Sequence, residues 1–198
     1  MMRIINSRLY QGLIPVTNYL ILGVIATAGV ATVFFAYPVI AACIGVAIQI
    51  YGKGNETLTK KLWLELKRHF WTKLFIGLIV STFALLFYFV FTDLFVHLVL
   101  PLRVSLLVSL VLFLALVFYL ILEEVALGSH YHFSRFFRNA VLDLVLDFPF
   151  TLFFAAMMLV VLVAASLFPL TVFFSLTFMN LIMAAVYHKR LKSKLSRF

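Results

Sequence analysis

Two histidines, His130 and His132, follow shortly after a pair of carboxylates, Glu123 and Glu124. Imidazole nitrogens and carboxylate oxygens are the donor set for zinc and the acid–base set for proton transfer, so these four side chains are the first candidates for chemistry. Their neighbours argue for another role. Tyr131 and Phe133 flank the histidines, a pattern that suits anchoring at a membrane–water boundary. No Gly-rich loop followed by Lys-Ser or Lys-Thr occurs, which excludes a P-loop ATPase, and Gly52-Lys53-Gly54 reads as a basic turn. The single cysteine, Cys43, lies inside an apolar run and cannot form an intrachain disulfide. The residues therefore assign no catalytic, cofactor-binding or metal site, and the expectation is a chain that is not an enzyme and carries no cofactor.

Charge offers a second kind of site. Lys60, Lys61, Lys67 and Arg68 crowd one polar segment, while Arg135, Asp143 and Asp147 share a stripe of another. Asp143 and Asp147 fall toward the C-terminal part of their predicted helix, where the helix dipole disfavours anions. A cationic counterpart is expected, either Lys60, Lys61 and Lys67 or groups on a partner, and these seven residues are the candidate docking set.

The elements that must carry them are set by composition. Of 198 residues, 65% are hydrophobic and 12% charged, with a mean hydropathy of +1.16. Soluble domains run at roughly 45–50% apolar and 25% charged, so a bilayer is the expected solvent. Between Leu74 and Phe91 there is no charge and there are thirteen Leu, Ile, Val and Phe residues, which favour insertion by roughly 4 to 8 kcal/mol. The net charge of +9 could attract nucleic acid. The cations sit between apolar runs and at the ends, however, so no nucleic-acid face forms and they read as determinants of topology.

From Leu13 to Tyr51 run 39 uncharged residues, about 58 Å as one straight helix and nearly twice the roughly 30 Å of hydrocarbon. The segment must fold back, and Pro38 is the expected structural turn. Arg3 and Arg8 before this stretch resemble a signal peptide, but the apolar run continues so far that an uncleaved first helix is expected. Spans are predicted near 14–35, 38–52, 73–92, 103–122, 149–168 and 170–188. Gly23, Thr27 and Ala31 on the first and Ala41 and Gly45 on the second are spaced to let the two backbones approach.

Two amphipathic segments separate the spans. Over 56–71, Leu58, Leu62, Leu66 and Phe70 share one face, Asn55 is the expected N-cap, and Trp63 and Trp71 suit the headgroup zone. Over 130–148, Phe133, Phe136, Phe137, Ala140, Val141, Leu144, Val145 and Phe148 keep helical spacing, with Arg135, Asn139, Asp143 and Asp147 opposite. With both termini cytoplasmic, 15 of the 16 basic residues face the cytoplasm, only Arg103 lying outside, as the positive-inside rule requires. The expected fold is an all-α membrane protein in a single transmembrane domain over 1–198, with about six spans, two cytoplasmic interfacial helices, and anionic headgroups as partners. Asp93, His97 and Arg103 are expected at the outer edge, and Glu123 and Glu124 at the inner edge, marking the end of the fourth span. The polar residues Asn18, Gln49, Ser81, Ser105 and Asn180 within spans read as helix packing.

Asn18, the Ala36-Tyr37-Pro38-Val39-Ile40-Ala41-Ala42 turn, the segment from Leu62 to Phe70 and the Phe136-Phe137-Arg138-Asn139-Ala140 stretch resemble the YesL family of small bacterial membrane proteins. Tyr37 and His69 depart from the residues usual there. The resemblance implies a multi-pass protein of the bacterial plasma membrane, often encoded beside carbohydrate ABC uptake systems. It carries over no catalytic residue, and it implies an accessory or regulatory role beside ABC sugar transporter components. The alternative is an independent transporter or channel for a neutral solute, since aromatic-rich helices could line a path without charges.

Overall fold

The long uncharged segment folds back, but earlier than Pro38. A computed structural model of the chain describes residues 8–51, 57–94, 97–127, 133–153, 156 and 171–195. Helix α1, Arg8–Ala31, ends in a tight turn and α2, Ala36–Ile50, begins after it. The turn is built from Thr32 N–H to Gly29 O at 3.1 Å, Val33 N–H to Val30 O at 3.1 Å and Thr32 Oγ1 to Gly29 O at 2.6 Å. Val33 adopts a left-handed φ of 54°. Pro38 then occupies the first turn of α2, where its missing amide hydrogen leaves no intrahelical bond unmade. Proline is thus an early residue of the second helix instead of the bend.

Among the described residues all regular structure is helical. After α2 come α3, Leu58–Lys67, and α4, Phe70–Phe89, which passes into a π-helical turn, Val90–Leu94. Then follow α5, Leu100–Leu127, α6, Phe133–Leu146, a helical stretch at 148–153, and α7, Thr171–Leu195. Among the described residues three segments are long and apolar enough to cross a membrane: Phe70–Thr92, Leu100–Val125 and Thr171–Lys189, of 23, 26 and 19 residues. At 1.5 Å per residue these reach roughly 35, 39 and 29 Å, against roughly 30 Å of hydrocarbon. The chain is therefore read as a membrane protein.

The boundaries differ from the expected ones for identifiable reasons. α3 stops at Lys67 because His69 takes a left-handed φ of 51°, and α4 restarts at once, with Lys73 N–H bonded to His69 O at 3.0 Å. Thr57, not Asn55, holds the N-cap position of α3 and makes no side-chain cap bond; Asn55 lies outside the described residues. α5 runs on to Leu127, so Glu123 and Glu124 lie within the helix instead of marking its end, and both are buried. α7 continues through the basic tail to Leu195. His130, His132, Pro169 and most of the expected span 149–168 lie outside the described residues.

The chain divides into two compact units. The first comprises residues 1–77 and 170–198, the second 78–169. In the first unit α1 packs along both α2 and α7, and α2 also touches α3 and α7. Its core is Leu22, Ala26, Ala41 to Ile44, Val46, Ala47, Met183 and Ala184, small and aliphatic side chains that let helices lie close. Two of the small residues meet partners on other helices, Gly23 facing Thr177 of α7 and Gly45 facing Glu65 of α3.

In the second unit α6 packs on α5. Phe136 and Ala140 are buried, whereas Phe137, Val141 and Val145 are exposed. Asp143 and Asp147 are half-buried, and with Phe136 and Ala140 they fall at i, i+4, i+7 and i+11. The inward stripe is therefore rotated toward the polar residues, and half of the expected apolar face looks outward. The Thr151 hydroxyl donates to Leu144 O at 2.8 Å and lies 3.3 Å from the Tyr119 hydroxyl, which ties α5 to the end of α6.

Candidate functional site

A helix that ends inside a protein leaves its last carbonyls without amide partners, and where water is excluded each must find another donor. The end of α2 meets this condition. Its Ala47 carbonyl accepts from the Tyr19 hydroxyl of α1 at 3.3 Å, and its Ile48 carbonyl accepts from His188 Nε2 of α7 at 3.0 Å. That acceptor fixes the proton on Nε2 of His188. Tyr51 stacks on the same imidazole, with ring centroids 4.8 Å apart.

The third donor–acceptor pair at this end brings in α3. Gln49 Nε2 donates to Glu65 Oε2 at 2.9 Å, and Arg68 Nη1 reaches Glu65 Oε1 at 3.4 Å. Glu65 is only 6% exposed and Lys73 only 1%, values that charged side chains reach only when they are paired. Lys73 Nζ donates to the backbone carbonyl of Glu65 at 2.6 Å, one of the last four carbonyls of α3. It closes the C-terminal end of that helix, where the dipole favours a cation. A Cβ placed on Gly45 would lie 2.9 Å from Glu65 Cγ and 3.0 Å from Oε1. Glycine here is what lets a glutamate side chain lie against α2.

The Glu65 carboxylate, ion-paired with the Arg68 guanidinium and hydrogen-bonded to Gln49, and the buried Lys73 ammonium on the Glu65 carbonyl form a node joining α2, α3 and the start of α4. Both carboxylate oxygens of Glu65 serve the fold, so the arrangement supplies no free base or nucleophile. Among the described residues no group of three or more His, Cys, Asp or Glu is placed to hold a metal ion. What the node does is fix α3. The outward face of that helix carries Lys60 and Lys67, both exposed, with Trp63 58% and Leu64 59% exposed, and the Lys67 ammonium sits 4.8 Å above the Trp63 ring. Trp71, just past the break, is 79% exposed.

Of the seven candidate docking residues, Arg68 enters the node, Lys60 and Lys67 face outward, and Lys61 is half-buried. Asp143 and Asp147 belong to the second unit, together with Arg135, whose helical position is described but whose side chain is not. The expected use of Lys60, Lys61 and Lys67 as counterparts to the aspartates is therefore a matter of two separate units. Sequence reasoning missed Glu65, Lys73 and His188 and passed over Gln49 as a packing residue. A signal was available, because Glu65 stands at i+7 from Leu58 and i+3 from Leu62, on the apolar stripe. The chain matches no family model, and comparisons with curated proteins and with solved structures give no match.

Proposed function

We propose that this chain is a six-span protein of the bacterial plasma membrane, with both termini in the cytoplasm, that acts without catalysis as an accessory or regulatory subunit of carbohydrate uptake by an ABC transporter. The observation that supports this reading is the node itself. Four polar side chains hold an interfacial helix rigidly to the bundle while its lysines and Trp63 stay outward, as a preformed docking surface needs. The YesL resemblance supplies the partner class, and the placing of 15 of the 16 basic residues on one side supplies the six-span topology.

In this reading Lys60 and Lys67 meet acidic groups of a transporter component, and Glu65, Arg68, Gln49 and Lys73 keep α3 in place. Gentle detergent extraction of a tagged chain from its native host tests it. Co-purification of a sugar-transporter component, reduced by Lys60→Glu with Lys67→Glu, is the expected result. If no transporter component is retained and deletion of the chain leaves sugar uptake unchanged, the reading is lost. Flux of a neutral solute into liposomes holding only the purified chain would favour the independent-transporter alternative.

A further inference from the structure

A groove of about 540 Å³ runs between α1 and α7, walled by Val16 and Leu20 on one side and by Phe174, Phe178 and Leu181 on the other, with Tyr19 at its edge. Its lining is almost entirely hydrocarbon. Of its three hydroxyls, that of Tyr19 donates to the Ala47 carbonyl and that of Thr177 to Phe173 O at 2.9 Å, which leaves the small Ser175 as the remaining polar group on an otherwise apolar wall. Phe174 and Phe178 stand out from α7 at 64% and 60% exposure, on a helix long and apolar enough to cross a membrane.

We propose that this groove is a binding site for one acyl chain of a membrane phospholipid. Two arguments select that occupant over a partner helix. Helices associate in lipid through small residues that bring backbones together, and here the small pair, Gly23 and Thr177, is consumed by the contact between α1 and α7. Apart from Ser175, the walls left over are Phe, Leu and Val, bulky side chains that keep a second helix's backbone at a distance and leave an apolar slot between them. Size agrees, since about 540 Å³ accepts roughly eighteen methylenes if each takes about the 30 Å³ share of one water. The contact at Gly23 sets the floor of the slot, and the phenylalanine rings make it deeper than an ordinary helix flank. The proposal does not rest on the docking role of α3.

The test uses the full chain in vesicles of phosphatidylethanolamine and phosphatidylglycerol doped with a phospholipid carrying a diazirine in its acyl chain. After photolysis, adducts are mapped by mass spectrometry. Labelling at Val16 to Leu20 and Phe174 to Leu181 is expected to exceed, several-fold, that at Leu85, Leu86 and Phe89, which are comparably exposed and apolar but do not line this groove. Ser175→Phe, which fills the slot, is expected to bring labelling down to the comparison level, and Leu20→Trp serves if that variant does not fold. Equal labelling at both places, labelling unchanged in the filled variants, or chain-to-chain crosslinks through Phe174 and Phe178 would overturn the assignment.

Discussion

Substituting Gly45 by alanine isolates the packing of the node in a single methyl group. The added Cβ would come within 2.9 Å of Glu65 Cγ and 3.0 Å of Oε1, closer than carbon atoms approach without displacement. The carboxylate cannot swing aside freely, because Gln49 holds Oε2 at 2.9 Å and Arg68 sits 3.4 Å from Oε1. Overpacking of this kind costs about 1–3 kcal/mol, while alanine in place of glycine within a helix returns about 1 kcal/mol. The net expectation for Gly45→Ala is a loss of about 1 kcal/mol, or roughly 2–4 °C in Tm for a chain of this length. In a Glu65→Ala background the obstacle is absent and only the helix preference remains, so the same substitution should raise Tm. The cycle therefore predicts a change of sign and a coupling of about 2 kcal/mol. Tryptophan fluorescence during heating in a mild detergent, on the four proteins in parallel, measures it. An equal effect of Gly45→Ala in both backgrounds would refute the claim that Glu65 is held against α2.

Three further outcomes are expected. Val33→Gly should stabilise the chain by about 1 kcal/mol, because a β-branched residue at a φ of 54° carries a steric cost that glycine does not; an unchanged or lower Tm would count against the turn at 32–35. Tyr119→Phe removes a hydroxyl 3.3 Å from Thr151 Oγ1 and 3.5 Å from the Asp147 carbonyl, and at those lengths the loss should stay near or below about 1 kcal/mol in the same melting assay. Reporter enzymes fused after Lys53 and after Pro169 should report opposite compartments, and both reporting one side would end the six-span topology.

Helix type and rough extent were legible wherever composition alone decides them. The uncharged stretch around Leu74 to Phe91 can only be a buried or lipid-solvated helix, and α4 lies there. Ends were harder, because they depend on single backbone angles that no hydrophobic pattern encodes. The left-handed residues Val33 and His69 are not residues one selects for that conformation. Proline drew the turn toward itself, although the first turn of a helix accepts it equally well. The node was hidden for another reason. Glu65 keeps the helical register of Leu58 and Leu62, but no local pattern says what could receive a carboxylate there; Gly45, twenty residues earlier, makes the room, and that pairing is tertiary. Burial of Glu123 and Glu124 is likewise a tertiary effect that the local pattern does not encode.

The shortness of α2 carries a consequence of its own. Fifteen residues from Ala36 to Ile50 rise only about 22 Å, some 8 Å less than the usual hydrocarbon slab. Eleven of its fifteen residues are buried, so over most of its surface α2 meets neighbouring helices and not lipid, and it has no need to match the slab. A helix enclosed in this way answers to the lengths of its neighbours, and its carbonyl end finds its hydrogen-bond donors inside the protein, in Tyr19 and His188.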